Sequence, residues 1–502
     1  MNTIRKKYLF NLMGGSIIIV WLIMIGLLVK KTNFNNPREH VDFIAYKAPA
    51  ITSSQRDWME IYLKGKKVGY AVTHVSPVGE EYLIREEVFL KLNLLGQASV
   101  IRTVTQSVAD HQFRLKNFIF RMTSGIVSFR VSGKVDGNHM HLKIGEGLAK
   151  RSESITLSEP PVIGGGMALF FKGRRLEVGD SFMFPVFDPS TMAQKSIVLK
   201  VMAKEAIFIN RIKYSAIRLE GEMLDQRMTF WLDEKGTVLK EAGFMGLTLV
   251  KSSVGRASKD IEGGGGDDFY KLASIELKRQ LPKANRLTYL KLGVEGLDDT
   301  HFDTGMLNRG RQRFRSGILE IIQEEVPLKA PYSLPYSDDS KKMKPFLRPE
   351  FSIESDDKAV IEKARQIARN AKNPVIVAKR LKTWVYKNLR KRPVLTVPGA
   401  LEVLKTKVGD CNEHAVLLAA LLRASGIPAR LCVGLVYTRG GFYYHAWTEG
   451  YLGEWVSMDA TLNQMPVDAT HVKLVQGGLD RQVEIIRLIG KLGLEVIDYG
   501  YD

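Results

Sequence analysis

Three residues in the C-terminal part of the sequence are of the types that acyl-transfer chemistry uses: Cys411, His445 and Asp459. Cys411 follows Asp410 at the head of an apolar run with helical spacing, and Glu413 completes a capping-box pattern. We therefore expect the thiol in the first turn of a helix, where unpaired backbone N–H groups and the helix dipole favour a thiolate. The position suits a nucleophile, although a lone cysteine is also commonly a small buried apolar residue.

His445 and Asp459 have chemical roles beside such a thiol. The segment GFYYHAWTEGYL alternates like a strand around His445, and EWVSMDAT, which contains Asp459, follows it. A helix N-terminus packed on this sheet would bring the three side chains together. His445 would accept the thiol proton and later protonate a leaving amine, and Asp459 would hold the imidazole. With a cation beside it, we expect the Cys411 thiol to ionise below the ~8.5 of a free cysteine.

The region around these residues carries several motifs in a fixed order. They are Gly-x-Cys with Glu and Ala following, Gly-Ile-Pro-Ala-Arg, His-Ala-Trp and Trp-x-x-x-Asp-x-Thr. Together they resemble the transglutaminase-like superfamily of papain-type cysteine enzymes in bacterial envelope proteins, although Ala460 stands where many relatives have proline. The resemblance implies that Cys411 is the nucleophile, His445 the base and Asp459 the orienting acid of a thioacyl-enzyme mechanism. Glu413 is assigned to the helix cap, and His414 to a helix surface.

The resemblance leaves the reaction and substrate open. Peptide, protein or cell-envelope amides fit, and the thioacyl intermediate could pass to water or to a second amine, giving a peptidase or a cross-linking acyltransferase. The alternative function is a non-catalytic envelope binding or scaffold module on the same fold. A metal site would need more donors than the three residues provide, and no cofactor is expected. Cys432 has no Cys-x-x-Cys partner and is predicted to be a free, slow-reacting thiol.

Two helices are expected before the cysteine. Ser355 is the predicted N-cap of the first, SDDKAVIEKARQIARN, and Pro374 begins the second. The second helix and its continuation carry a run of cations without an acid: Lys379, Arg380, Lys382, Lys387, Arg390, Lys391 and Arg392. Such a run could bind an anionic surface or polymer, or be a solvated helix face.

The predicted fold class is α+β, with an N-terminal transmembrane helix, a β-rich region resembling a sandwich or open barrel, and a C-terminal transglutaminase-like domain. Short alternating segments follow Asp57, and four consecutive glycines mark a linker. The predicted organisation is a cytoplasmic tip with a membrane anchor (1–32), a spacer (33–54), a β-rich domain (55–256), a glycine-rich linker (257–268), a small β module with linker (269–350), the catalytic domain (351–475) and a C-terminal tail (476–502).

Composition and the N-terminus suggest location and partners. The 502 residues carry a net charge of +19, which suits nucleic acid, an anionic membrane surface or an acidic polymer, and two cysteines exclude a disulfide framework. From Tyr8 to Val29, 22 uncharged residues lie between basic flanks, without small residues at the end for cleavage. This predicts a single-pass inner-membrane protein, N-terminus inside and bulk periplasmic, with the membrane as a partner and no nucleic acid.

Overall fold

A computed structural model of the protein describes residues 51–501, apart from 95, 126, 146–150, 224, 244–245, 263–270, 272–273, 298–299, 338–341, 394–398 and 478–482. The described chain comprises a large N-terminal sheet and a C-terminal body of helices and smaller sheets. The C-terminal body carries the three candidate site residues.

The N-terminal sheet has 14 strands in the order β8-β7-β6-β5-β4-β3-β2-β1-β14-β13-β12-β11-β10-β9. The strands are β1 Gln55–Leu63, β2 Lys66–Val78, β3 Glu81–Leu94, β4 Gln97–Asp110, β5 Leu115–Ser124, β6 Val127–Asp136, β7 His139–Ile144, β8 Arg151–Thr156, β9 Ser181–Asp188, β10 Ala193–Ile209, β11 Ile212–Met223, β12 Gln226–Leu232, β13 Val238–Ala242 and β14 Leu247–Ser252. Their pairing is antiparallel, and β7 shows strict alternation of exposed and buried residues. Two short helices accompany the sheet, α1 Gly164–Phe170 and α2 Val254–Ala257.

The C-terminal body contains three further sheets. Their strands are β15 Ile275–Glu276, β16 Leu287–Glu295, β17 Gln312–Arg315, β18 Ile318–Ile322, β19 Arg390–Lys391, β20 Val408–Gly409, β21 Ala429–Thr438, β22 Gly441–Tyr451, β23 Trp455–Met458, β24 Val472–Gln476 and β25 Gly493–Tyr501. One sheet has the order β15-β22-β21-β24 with β23 paired to β22, the second the order β17-β18-β16-β25, and the third is the parallel pair β19-β20.

Among the described residues, four further helices pack with these sheets, and four 3₁₀ segments connect the strands and helices. The helices are α3 Lys358–Ala368, α4 Pro374–Asn388, α5 Ala400–Thr406 and α6 Cys411–Ala424; the 3₁₀ segments are Ala284–Arg286, Thr304–Asn308, Lys344–Phe346 and Val483–Leu488. A single hydrophobic cluster joins residues from Leu281 to Val496, so the helices and the two larger sheets share one core.

Helix α6 is the centre of this core. Every residue from Glu413 to Arg423 is buried, and α3, α4, α5, β21 and β22 all contact the helix. A helix buried on all sides needs apolar residues around its whole circumference, which the run AVLLAALL supplies. At its end the Arg423 guanidinium donates to the carbonyls of Ala429 and Arg348 and to the carboxylate of Glu350. Helix α6 is therefore held at both ends, and its first residue occupies a fixed position.

The predicted fold class is wrong in its balance of secondary structure and in its membrane helix. Of the described residues, 49 % lie in strands and 18 % in helices, so this part of the chain is mainly β. The reason is that the N-terminal sheet contains more residues than the helices of the C-terminal body. The predicted span from Tyr8 to Val29 lies outside the described residues. Within residues 51–501, less the gaps given above, no helix is both long and apolar enough to span a bilayer. The predicted single-pass inner-membrane location rested on that helix and is corrected with it.

One local prediction differs from the structure, and one predicted segment contains a strand. Helix α3 is capped by Asp357, not by Ser355, and the Asp357 carboxylate accepts the N–H of Ala359 at 2.8 Å. The predicted C-terminal tail contains β25, which pairs with β16 from the predicted small β module. This pairing unites segments about two hundred residues apart, which no local pattern reveals.

Candidate active site

Cys411 is the first residue of α6, at the end of the helix that faces β22. The capping box is confirmed: Asp410 Oδ1 accepts the N–H of Asn412 at 3.0 Å, and Glu413 Oε2 accepts the N–H of Asp410 at 2.8 Å. The Cys411 thiol is free and partly buried, and its sulfur accepts a hydrogen bond from the backbone N–H of Ala446 on β22. This contact places the sulfur next to the residue that follows His445.

The thiol does not have the low pKa that its helix position suggests. Burial and the nearby Asp410 carboxylate raise the pKa of Cys411 well above its ordinary value, and the N–H of Ala446 opposes them only in part. Burial and Asp410 also raise the pKa of the Glu413 carboxyl. The resting thiol is therefore protonated, and a base must remove its proton before the sulfur can act as a nucleophile.

His445 and Asp459 form a buried pair behind the thiol. The Nε2 atom of His445 lies 2.7 Å from Asp459 Oδ2, while Asp459 Oδ1 accepts the N–H groups of Thr461 at 2.6 Å and Leu462 at 2.9 Å. Burial alone would raise the pKa of Asp459, but His445 and a second histidine, His471, hold it well below its ordinary value. An ionised carboxylate only accepts hydrogen bonds, so Nε2 of His445 carries a proton and Nδ1 remains able to accept one.

A cavity of about 280 Å³ joins the Cys411 and His445 side chains, and we call it the cleft. Its wall is largely apolar and aromatic: Pro393, Val436, Tyr443, Tyr444 and Leu462. Gln97, at the start of β4, also lines it, so the N-terminal sheet contributes to the cleft. The buried hydroxyls of Tyr444 and Thr461, both lining residues, have no hydrogen-bond partner among the described residues. An apolar cleft with a few unpaired polar groups is typical of a ligand site.

The predicted basic run is divided among three places. Lys391 and Arg392, together with Arg439 from the β21–β22 turn, are exposed cations that line the cleft. Lys379, Arg380 and Lys387 instead line an outer groove of about 760 Å³ on α3 and α4. Lys382 is buried, and its ammonium binds the side-chain oxygen of Asn463 at 2.6 Å. The run is thus neither a single binding surface nor a uniformly solvated face.

His471 belongs to the site and was missed by the sequence analysis. Its ring is fully buried; Nε2 lies 3.2 Å from Asp459 Oδ2, and Nδ1 lies 3.3 Å from Asp468 Oδ1. The pattern Asp-x-x-His at the head of an alternating segment was the available signal, but it is too short to be specific.

The cluster also has the composition of a metal site. His445, Asp459 and His471 each place one possible ligand atom within 4.8 Å of the others. However, both imidazole Nε2 atoms lie at hydrogen-bond distance, 2.7 and 3.2 Å, from the same carboxylate oxygen. That arrangement needs ring protons where a metal would need lone pairs, so the donors fit a hydrogen-bond network better than an ion.

Two other residues from the sequence analysis lie away from the cleft lining. Cys432 on β21 is free and fully buried against Trp447 and Val467, and burial raises the pKa of its thiol. His414 is not on a helix surface as predicted; it is fully buried, and its Nδ1 lies 2.5 Å from the carbonyl oxygen of Asp410. Burial lowers the pKa of His414, which makes it a neutral residue of the helix interior.

Comparison with known proteins gives one family match. Residues 361–460 match the model of the transglutaminase-like superfamily, and Cys411, His445 and Asp459 all lie inside that range. The chain contains a transglutaminase-like domain. No curated protein matches the chain.

Several solved structures are similar over part of the chain. A candidate cysteine protease from Cytophaga hutchinsonii is 18 % identical, covers 43 % of this chain and 86 % of its own, and has a TM-score of 0.29. A β-barrel-like protein of unknown function from Brucella abortus is 12 % identical, covers 40 % and 96 %, and has a TM-score of 0.31. A candidate protease from Parabacteroides distasonis is 11 % identical, covers 68 % of each chain, and has a TM-score of 0.20. At these scores the similarities carry no argument about function.

The two cysteines should differ sharply toward an alkylating reagent. Cys411 opens to the cleft and Cys432 is fully buried, so we expect the adduct on Cys411. Because burial raises the pKa of the Cys411 thiol, its alkylation rate should climb through neutral pH into the alkaline range, and His445→Ala should slow it at neutral pH. Peptide mapping by mass spectrometry after timed alkylation of the full-length protein measures both. Equal labelling of the two cysteines, or a rate already constant in the acidic range, would contradict this arrangement.

Proposed function

We propose that this protein is a thiol-dependent amide hydrolase in which Cys411 forms a thioacyl intermediate. The observation that carries the proposal is the hydrogen bond from the Ala446 N–H to the Cys411 sulfur, because it brings the nucleophile to the strand that bears His445. The match of residues 361–460 to the transglutaminase-like superfamily supports the same chemistry. Peptide, protein or envelope amides are the proposed substrates.

The proposed reaction begins when a substrate carbonyl lies over the sulfur. Nδ1 of His445 accepts the thiol proton as the C–S bond forms, and Asp459 stabilises the resulting imidazolium through Nε2. The tetrahedral intermediate then collapses: the C–N bond breaks and His445 donates its proton to the departing amine. Water attacks the thioacyl carbon while His445 takes its proton, and expulsion of the sulfur, reprotonated by His445, releases the acid and restores the thiol.

Hydrolysis is favoured over transfer to a second amine by the exposure of the sulfur. Cys411 is partly exposed in the cleft of the free protein, so water can reach a thioacyl group formed there. An acyltransferase would need the site to exclude water while admitting an amine.

Two donors are proposed for the oxyanion of the tetrahedral intermediate. The Cys411 N–H is at the first position of α6, where a backbone N–H has no intrahelical acceptor. The second is the Tyr444 hydroxyl, because Tyr444 lines the same cleft as Cys411. Burial raises the pKa of Tyr444, which keeps the hydroxyl protonated, and that hydroxyl has no partner among the described residues.

The substrate is proposed to carry negative charge beside the scissile amide. Lys391, Arg392 and Arg439 line the cleft, and the structure pairs none of them with a carboxylate within the part of the chain that it describes. An acidic peptide or an anionic envelope polymer would supply the complementary charge.

A peptide-amide panel tests the proposed activity. Matched acidic, neutral and basic peptides are incubated with the full-length protein, with and without an added primary amine, and the products are identified by mass spectrometry. We expect hydrolysis, with the highest kcat/KM for acidic peptides and complete loss in Cys411→Ser. Products joined to the amine would identify an acyltransferase instead. Unchanged peptides, bound equally by the wild type and Cys411→Ser, would contradict an enzyme and favour the binding module.

Tyr444→Phe tests the side-chain oxyanion donor. Removing one such donor lowers kcat by about 10²-fold in enzymes of this type, and we expect a loss of that order with little change in KM, since the hydroxyl would act in the transition state. Steady-state kinetics on the preferred peptide measure it. Tyr443→Phe is the matched control, because Tyr443 lines the same cleft from the opposite face of β22. Equal effects of the two substitutions would contradict the assignment.

A further inference from the structure

The hydrogen bonds around His471 require an unusual protonation state. Its two ring nitrogens face two carboxylates, Asp459 at 3.2 Å and Asp468 at 3.3 Å. Ionised carboxylates only accept, so both ring nitrogens must donate, and the ring is an imidazolium. Burial opposes that charge, but the two carboxylates raise the pKa of His471 above its ordinary value. The cation and its two anionic partners thus form one buried unit.

Asp468 is itself held in its ionised form. Its Oδ1 accepts the N–H of Thr470 at 2.8 Å and the Thr470 hydroxyl at 2.6 Å, and its Oδ2 accepts the Gln464 amide at 2.6 Å. Burial alone would raise the pKa of Asp468, but His471 and these donors lower it to about 2. A carboxylate with this many donors stays charged throughout the range in which enzymes work.

The backbone around His471 is held by hydrogen bonds from Arg311, a residue far away in the sequence. The guanidinium of Arg311 donates to the carbonyl oxygens of Val467 at 2.9 Å, Asp468 at 2.5 Å and His471 at 3.1 Å. The ring of Trp447 packs edge-on against His471, with centroids 5.3 Å apart. The protein itself therefore fixes the position of the imidazolium, and neither solvent nor a bound substrate is needed to do so.

We propose that His471 is a positioning residue that holds the Asp459 carboxylate by hydrogen bond and, as a fixed buried cation, disfavours a second proton on His445 at rest. The inference rests on the proposed function, since it concerns the base of that reaction. The His445 and His471 ring centroids are 5.7 Å apart, and both Nε2 atoms share Asp459 Oδ2. Two positive charges at that separation repel, so the fixed charge on His471 opposes a second positive charge on the His445 ring.

Other charged groups lie near His445 and His471 and are not changed by a substitution of His471. Lys382 is held by Asn463, and Arg311 binds Glu324 at 2.9 Å as well as the carbonyls above. On the Cys411 side lie the carboxyls of Asp410 and Glu413. Substitution of His471 removes one positive charge beside His445 and leaves these other groups in place.

His471→Gln separates charge from hydrogen bonding. Glutamine can still donate to Asp459 but carries no charge, so His445 should be protonated more readily. We expect the acid limb of kcat/KM to move to higher pH by roughly one unit, from Coulomb repulsion at this distance in a partly screened site. The matched control is His414→Gln, a second fully buried histidine that is neutral, and its acid limb should not move.

The pH profile is also measured by alkylation of Cys411 in the full-length protein, which needs no substrate. Failure of the proposed function appears as a wild type without turnover, and the alkylation profiles then still test His471. The same upward shift in His471→Gln, absent in His414→Gln, supports the positioning role. If His471→Gln does not fold, Asp468→Asn replaces it. Loss of that carboxylate should lower the pKa of His471 and so reduce its positive charge, which should shift the acid limb in the same direction. Lower rates with an unshifted limb, as a purely structural residue would give, overturn the proposal.

Discussion

The buried carboxylate of Asp459 is the interaction on which the candidate site depends. A fully buried charge is tolerated only when its lone pairs are filled, and removing one partner of such a pair costs about 3–5 kcal/mol. Asp459 has four N–H donors: the backbone of Thr461 and Leu462, and the rings of His445 and His471. The loop after β23, the strand β22 and the residue just before β24 must therefore meet at this carboxylate. The orientation of His445 follows from that requirement.

Helix α6 supplies the other half of the site. Because the helix is buried on all sides, its packing sets the position of its N-terminus relative to β22, and the Cys411 sulfur lies at the Ala446 N–H. The same burial that fixes the thiol raises its pKa, so positional precision and ionisation oppose each other here. A base that is fixed and oriented resolves that conflict, and the Asp459–His471–Asp468 network holds His445 in such a position.

Local features of this site were predictable from the sequence, and those set by tertiary packing were not. The capping box of α6 and the strand around His445 depend on neighbouring residues, so spacing alone indicated them. The role of His471 depends on the Asp459 carboxylate, which the loop between β23 and β24 brings to it. Its short Asp-x-x-His pattern is shared by many unrelated segments. The high pKa of Cys411 arises from burial between a helix and a sheet, which the position in the helix does not reveal.

At larger scale the same distinction holds. Alternation predicted many short strands in the N-terminal half, but whether they close into two packed sheets or form one sheet of 14 depends on the β1–β14 pairing, which joins the ends of that region. The strand β25 completes a sheet whose other members lie far away in the chain. Hydrophobic spacing indicates that a segment is a strand, but it does not indicate which other strand the segment pairs with.

The most direct test of the site is covalent. Full-length protein is mixed with a peptide thioester or activated ester, quenched at short times, digested and analysed by mass spectrometry. Cys411 should carry the acyl group transiently, His445→Ala should slow its appearance, and Cys411→Ser should carry no thioacyl group. An acyl group on Cys432 alone, or turnover that continues in Cys411→Ser, would contradict Cys411 as the nucleophile.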